Sequence, residues 1–254
     1  MGTAGKEVPG PANGNHMLKL NAITVQFGGL TALKGVTLDI KAEEVVGLVG
    51  PNGAGKTTLF NVISGLARPT GGGVSFNGAN VLKSPMYKRA RIGIGRTFQI
   101  PQPMHELSVR QNLMVAQRFG TGKVNPAKID EILDFLHLAD KADRDAAQDL
   151  SLSELKALEV GKALATDPKL LLLDEVLAGL ETSHKRAFMK TLTELHDKYR
   201  ISILIIEHDI ETISALCPRV CVLNYGQLIA DGPPAVVFND PEVIKSYTGG
   251  GDHD

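Results

Sequence analysis

A glycine-rich loop near residue 50 has the residue types and the spacing that phosphate binding requires. It reads GPNGAGKTT over residues 50–58 and fits the pattern G-x-x-x-x-G-K-[ST]. Glycines let the main chain approach phosphate oxygens closely, so that consecutive amide groups form a concave set of donors. Lys56 supplies a positive charge for β- and γ-phosphates, and the Thr57 hydroxyl can ligate Mg²⁺. The candidate nucleotide-binding residues of the loop are Asn52, Gly53, Ala54, Gly55, Lys56, Thr57 and Thr58.

The segments on either side of this loop favour the same interpretation. Val45–Val49 is a short apolar run that predicts a strand, and residues 58–66 carry apolar side chains at helical spacing. Such a helix directs its positive end at a bound anion. A glycine-rich turn with an exposed lysine is the alternative, and this context disfavours it.

Two adjacent acids, Asp174 and Glu175, form the second candidate site. They follow four consecutive leucines, Leu170–Leu173, which predict a buried strand. Ligands bind at the carboxyl ends of parallel strands, and successive side chains of a strand point to opposite faces. We therefore expect different roles: Asp174 holds Mg²⁺, and Glu175 polarises the water that attacks the γ-phosphate. An acidic pair that merely ends a strand at the surface is the alternative.

The elements that must position these residues predict an α/β fold. Short β-rich segments near the start indicate a small antiparallel sheet beside the main one, whereas unbroken apolar strands later in the chain indicate a buried parallel sheet. Between them, helices are predicted over 109–119, over 127–138 and from Ser153 onward. We expect one domain over residues 17–254, with a core at about 17–88 and 165–254 and an inserted helical subdomain at about 89–164. Residues 1–16 are predicted to form a disordered tail, because glycine, proline, alanine and asparagine dominate them.

The composition excludes several classes of protein. Lys and Arg number 27 and Asp and Glu number 28, so the net charge of −1 disfavours nucleic acid as a main partner. No apolar stretch approaches the roughly 20 residues of a membrane helix. The two cysteines, Cys217 and Cys221, are expected to be reduced thiols of a cytoplasmic protein, because two cysteines make neither a disulfide scaffold nor a zinc site.

Taken together, these motifs resemble those of the ATP-binding cassette (ABC) ATPases, from about Leu18 to Thr248. The resemblance implies a P-loop NTPase core that binds ATP and Mg²⁺. Phe27, in QFGGLTAL, stands at the position of the family's adenine-stacking aromatic. Gln99, in GRTFQ, matches the glutamine that senses Mg²⁺ and the attacking water. His208, in ILIIEHD, matches the switch histidine that contacts the γ-phosphate.

The signature segment of the family departs from its usual sequence here. The family usually shows Leu-Ser-Gly-Gly-Gln before a helix, and this chain has LSLSE over residues 150–154. Ser151 is kept, whereas Leu152 and Ser153 replace both glycines. Glu154 replaces glutamine and would bring a negative charge near an expected γ-phosphate. The resemblance implies that Ser151 and Ser153 contact the ATP bound to a second subunit.

Within the family, the segments GRTFQIPQPM, IIEHDI and FNDPEVIKSYTGG resemble ATPase subunits of bacterial importers of branched-chain amino acids and of urea or amides. The implied partners are a second ATPase subunit, either another copy or a paralogue, integral membrane permease subunits and, indirectly, a periplasmic solute-binding protein. The implied location is the cytoplasmic face of the cell membrane. Residues 99–104 form a candidate docking edge for the membrane subunits.

Three other functions stay open from the sequence. An ATPase for lipid or lipopolysaccharide export would carry a very similar cassette. A soluble ABC ATPase that acts on ribosomes or DNA is disfavoured, because no second cassette, coiled-coil insertion or basic extension is visible. A regulatory nucleotide-binding subunit without turnover is opposed by the intact Lys56, Asp174, Glu175 and His208.

Overall fold

The computed structural model describes residues 16–248, which form two sheets and nine α-helices. Residues 1–15 of the expected tail lie outside the described residues, and the first strand begins at His16, one residue before the expected start of order. The strands are β1 His16–Phe27, β2 Leu30–Lys41, β3 Val45–Val49, β4 Gly71–Phe76, β5 Ala79–Asn80, β6 Ile94–Arg96, β7 Leu170–Asp174, β8 Ser202–Ile206, β9 Arg219–Asn224 and β10 Gln227–Gly232. The helices are α1 Lys56–Ser64, α2 Met86–Arg91, α3 Val109–Thr121, α4 Pro126–Phe135, α5 Leu152–Ala165, α6 Thr182–Tyr199, α7 Ile210–Leu216, α8 Pro234–Val237 and α9 Pro241–Thr248.

The larger sheet has the strand order β10-β9-β3-β8-β7-β6. Its strands from β9 to β6 run parallel, and only β10 pairs antiparallel with its neighbour. Strands β7 and β8 are buried at every position, because other elements cover both faces of this parallel sheet. The carboxyl ends of β3 and β7 therefore point to the same edge, which brings the phosphate loop and the acidic pair into one region.

The smaller sheet is antiparallel, in the order β2-β1-β4-β5. One face of β1 and β2 carries buried aliphatic side chains, such as Leu18 and Leu20, which pack in a common core with helix α1 and alternate side chains of the larger sheet. The mixed α/β fold with a parallel sheet and a small antiparallel sheet is the predicted one.

Helices α3, α4 and α5 pack together over a second apolar core that continues to the other face of the larger sheet. Helix α5 begins after Ser151, not at Ser153 as expected, because Ser151 and Glu154 form a capping box. Strand β6 lies in the large sheet beside β7, although the expected limits placed it in the helical subdomain. The division of the chain into subdomains stays a prediction in other respects.

Two further expectations concern the membrane and the cysteines. Among residues 16–248, no helix combines the length and the apolar character that crossing a membrane requires. Cys217 and Cys221 are both free and buried. Burial raises the pKa of the Cys217 thiol to about 12, so this thiol stays protonated near neutral pH.

Candidate nucleotide site

The phosphate loop leaves β3 and turns sharply into α1. Gly50 and Gly55 have φ angles of 148° and 105°, a region that favours glycine. A Cβ atom on Gly55 would lie 2.7 Å from the carbonyl oxygen of Ala32, and one on Gly50 would lie 2.0 Å from that of Leu223. Glycine is therefore required at both positions, because the loop passes directly against neighbouring main chain.

Helix α1 begins without a capping side chain in the described structure. Gly55 occupies the N-cap position, and the first turn of the helix contains no acid. The first N–H groups of α1 therefore keep their capacity to bind an anion. Lys56 is buried, and its Nζ atom donates to the carbonyl oxygens of Gly50 at 2.7 Å and Pro51 at 3.0 Å. Burial lowers the pKa of Lys56, and the charges of Glu175 and Asp174 oppose that shift.

An open cleft of about 510 Å³ lies over this loop, and its volume is typical of sites for small organic ligands. Residues 52–58 line it, and so do Glu175 and His208. Phe27 lines the cleft with 57% of its surface exposed, as a base-stacking residue requires. The structure thus brings these predicted residues to one cavity.

Asp174 ends β7 and is buried against a cation. Its Oδ2 atom accepts a hydrogen bond of 3.1 Å from Arg96, and the hydroxyl oxygen of Thr97 accepts its main-chain N–H at 3.0 Å. Burial raises the pKa of Asp174, and the charge of Arg96 opposes that effect. Arg96 was not predicted, because it lies 78 residues away in sequence and only the pairing of β6 with β7 makes them neighbours.

Glu175 adopts a left-handed backbone conformation, with φ 50°, directly after β7. Its Oε2 atom accepts a hydrogen bond of 2.6 Å from Nε2 of Gln99, and its Oε1 atom lies 2.6 Å from Nε2 of His208. The three residues that were predicted to be catalytic therefore meet at one carboxylate. Each carboxylate oxygen has its own partner, so the orientation of the carboxylate toward an attacking water molecule is fixed.

The oxygens available to a metal ion are few. No group of three or more His, Cys, Asp or Glu side chains that could hold a metal occurs within residues 16–248. Thr57 is exposed to the cleft, and Asp174 ends β7, which β8 separates from β3. Mg²⁺ prefers one or two protein oxygens together with substrate phosphates and water, so these two residues fit an ion that arrives with a nucleotide.

The sequence matches the family described as ABC transporter over residues 33–178, more than half of the chain. The chain belongs to the ABC transporter family. As an ABC cassette it is an ATP-binding ATPase, and the predicted family and fold class are confirmed. A second match, to the family described as branched-chain amino acid ATP-binding cassette transporter, covers residues 227–253.

Individual relatives and structures agree with this membership. The cassette is 34% identical to the high-affinity branched-chain amino acid transport ATP-binding protein LivG of Escherichia coli K12, over 92% of this chain and 98% of LivG. It is 33% identical to the corresponding protein BraF of Pseudomonas aeruginosa, with the same coverage. The ADP conformation of MJ1267, an ATP-binding cassette of an ABC transporter, superimposes with a TM-score of 0.83 at 32% identity, covering 92% of this chain and 99% of MJ1267.

The signature segment, residues 150–154, forms hydrogen bonds among its own residues. Glu154 Oε2 accepts hydrogen bonds from the main-chain N–H of Ser151 at 2.8 Å and from its hydroxyl at 2.7 Å, and Oε1 pairs with Lys141 at 2.6 Å. Ser153 Oγ lies 3.2 Å from Ser151 Oγ. Burial raises the pKa of Glu154, but the bonds from Lys141 and Ser151 outweigh burial and lower it overall. Among the described residues, neither serine lines the nucleotide cleft, so their predicted role needs a second subunit.

Several residues near the site were missed by sequence reasoning. Tyr225 lines the cleft and is 78% exposed; its turn is held by a 2.9 Å bond from Gly226 N–H to Ala54 O. An aromatic residue before glycine is a weak turn signal that does not indicate a ligand. Lys156 and Glu207 are buried charges, and neither their spacing nor their neighbours in sequence indicated this.

Proposed function

We propose that this cassette hydrolyses Mg-ATP to drive import of branched-chain or other hydrophobic amino acids through membrane subunits. The observation that carries the hydrolytic role is the convergence of Gln99 and His208 on Glu175, beside the phosphate loop. The solute class is supported by the match of residues 227–253 and by the similarity to LivG and BraF, which are branched-chain amino acid transport proteins.

In the proposed reaction, the open amides of α1 and Lys56 bind the phosphates, while Phe27 stacks on the base. Thr57 and Asp174 hold Mg²⁺, which neutralises charge on the phosphates when bound. Glu175 orients the attacking water and accepts its proton. Gln99 and His208 fix the direction of the Glu175 carboxylate until water and γ-phosphate take their places.

The proposed assembly is a pair of cassettes, head to tail, docked on permease subunits at the inner face of the membrane. A solute-binding protein would act on the opposite face. Ile100 supports the docking edge, since it is 70% exposed. Gln102 ties this edge to α5, because its N–H donates to Glu159 at 2.8 Å and its carbonyl accepts from Lys162 at 2.6 Å. Movement of the edge would thus be transmitted to α5.

The Glu175→Gln variant tests the proposed reaction. It should bind ATP like the wild type, lose hydrolysis by about 100-fold or more, and accumulate as an ATP-bound dimer. Calorimetry, phosphate release and size-exclusion chromatography measure these three properties. Normal hydrolysis by this variant would show that another group orients the water.

The solute class is tested with the cassette bound to its membrane subunits in liposomes. Leucine or isoleucine, presented with the binding protein, should raise ATP hydrolysis, while a polar amino acid of similar size serves as the control. Equal stimulation by both solutes, or by neither, would remove the assignment of solute while leaving the ATPase role intact.

A further inference from the structure

Lys156 is a buried lysine whose role lies outside the reaction described above. It lies on α5 and is 5% exposed. Its Nζ atom donates a 2.7 Å hydrogen bond to the main-chain carbonyl oxygen of Glu175. A side chain of helix α5 therefore contacts the backbone of Glu175, the residue proposed to orient the attacking water.

Glu207 holds the same turn from another element. It follows β8, directly precedes His208 and is 4% exposed. Its Oε1 atom accepts a 2.8 Å hydrogen bond from the main-chain N–H of Leu177. Lys156 thus binds the first residue of the turn 175–177, and Glu207 binds the last.

This turn requires outside support because Glu175 has a left-handed backbone conformation. For a residue other than glycine this conformation is uncommon, and it persists where the surroundings fix it. The N–H of Glu175 donates to Ile206 O at 3.0 Å, and that of Ala178 donates to Glu175 O at 3.2 Å. Lys156 and Glu207 add the side-chain contacts that complete this support.

Each of the two charges also opposes the effect of burial on the pKa of the other. Burial lowers the pKa of Lys156, and the carboxylate of Glu207 opposes that shift. Burial raises the pKa of Glu207 to about 7, and the charge of Lys156 opposes it. Above pH 7, where Glu207 is mostly ionised, removing either charge leaves the other uncompensated, so we expect the two substitutions to be coupled there.

We propose that Lys156 and Glu207 are positioning residues that hold the turn 175–177 so that the Glu175 carboxylate meets Gln99 and His208. Through Lys156, α5 becomes part of the hydrolytic machinery, although α5 contributes no side chain to the cleft of its own chain. This inference rests on the proposed role of Glu175 in hydrolysis.

The test compares Lys156→Met, Lys156→Arg and the exposed control Lys190→Met in the full-length cassette. Lys156→Met should lower kcat by about 10- to 100-fold, because small displacements of a catalytic group have effects of this size. Its ATP Kd and KM should stay within about threefold of wild type, since the phosphate loop is untouched. Lys156→Arg should restore much of kcat, and Lys190→Met should leave both constants unchanged.

A second variant keeps the test decisive if Lys156→Met fails to fold, as judged by its melting curve. Glu207→Gln keeps an acceptor for Leu177 N–H but loses the charge, and it should lower kcat severalfold at unchanged ATP affinity. If both single variants fold, the double variant should lose less than the product of the two single losses.

Wild-type kcat in Lys156→Met or in Glu207→Gln would overturn the inference, as would an equal loss of ATP affinity and turnover. The proposed function fails in a different way. It is refuted if the wild-type cassette itself hydrolyses no Mg-ATP, or if Glu175→Gln turns over normally.

Discussion

Helices α1 and α5 start in opposite ways, although both starts are expected to face nucleotide phosphates. Helix α1 follows Gly55 and has neither a capping side chain nor an acid in its first turn. Helix α5 follows Ser151, and Glu154 caps it from within the first turn. The first arrangement leaves the first N–H groups of the helix for a ligand, whereas in the second the side chains of Glu154 and Ser151 accept the N–H groups of Ser151 and Glu154.

From this difference we expect a helix N-terminus to bind an anion more readily when its first turn has neither a capping side chain nor an acid. Both helices have the same positive end, but Glu154 places a carboxylate there and Lys141 neutralises that carboxylate. The binding of phosphate at α5 should therefore depend on the balance of two side chains. At α1 it should depend on backbone geometry and one lysine.

The largest effect is expected from Lys56→Ala, which removes the cation from the open site. ATP binding should be lost or turnover should fall by about 100-fold or more, because Lys56 is the cation that the phosphate loop itself supplies. Lys34 also lines the cleft, but it lies on β2 and not in the loop. Calorimetry and phosphate release measure the effect, with Lys190→Ala as the control. Undiminished turnover would contradict the phosphate role of the loop.

A smaller effect is expected when the open helix start is altered by one methyl group. Gly55→Ala places a Cβ atom 2.7 Å from Ala32 O in a backbone conformation that alanine avoids. We expect a loss of about 1–3 kcal/mol in the free energy of unfolding and about a tenfold weaker ATP affinity. Urea denaturation and calorimetry measure the two.

The matched control is Gly53→Ala, because Gly53 also has a positive φ, but its Cβ position has no heavy atom within 4 Å from the described residues other than its chain neighbours. It should show the smaller loss in both measurements. If the two variants behave alike, backbone strain alone, and not the close approach to Ala32, governs the loop.

The smallest effects on ATPase activity, of opposite sign, are expected from two substitutions at the start of α5. Glu154→Gln keeps an acceptor for the capping box but removes the negative charge, so ATPase activity should rise about two- to fivefold. Lys141→Met leaves Glu154 unneutralised and should lower activity by a similar factor. Steady-state phosphate release by the assembled cassettes measures both.

Lys128→Met is the control for these two substitutions, because Lys128 makes an ion pair with Glu131 within α4, away from the start of α5. If neither Glu154→Gln nor Lys141→Met changes activity, the start of α5 does not face a nucleotide. The two helices would then differ in capping without any consequence for nucleotide binding.

Much of the fold was accessible because its signals are local. Val45–Val49, the loop after it and the acids that follow Leu170–Leu173 lie in continuous stretches, where an apolar run or a glycine spacing has one dominant meaning. The first residue of a helix is harder to predict, since two serines near the start of α5 are both suitable N-cap residues. Ser153 was expected there, and the reciprocal bonds with Glu154 select Ser151.

By itself, the sequence determined the phosphate loop, the acidic pair and the class of fold, since each depends on neighbours along the chain. Tertiary structure alone decided the contacts of Arg96 with Asp174 and of Lys156 with Glu175. It also decided that Lys141 compensates the charge of Glu154, which the sequence left facing an expected phosphate. Such pairs join separate elements, and a buried charge finds its partner only when packing has set which elements are neighbours.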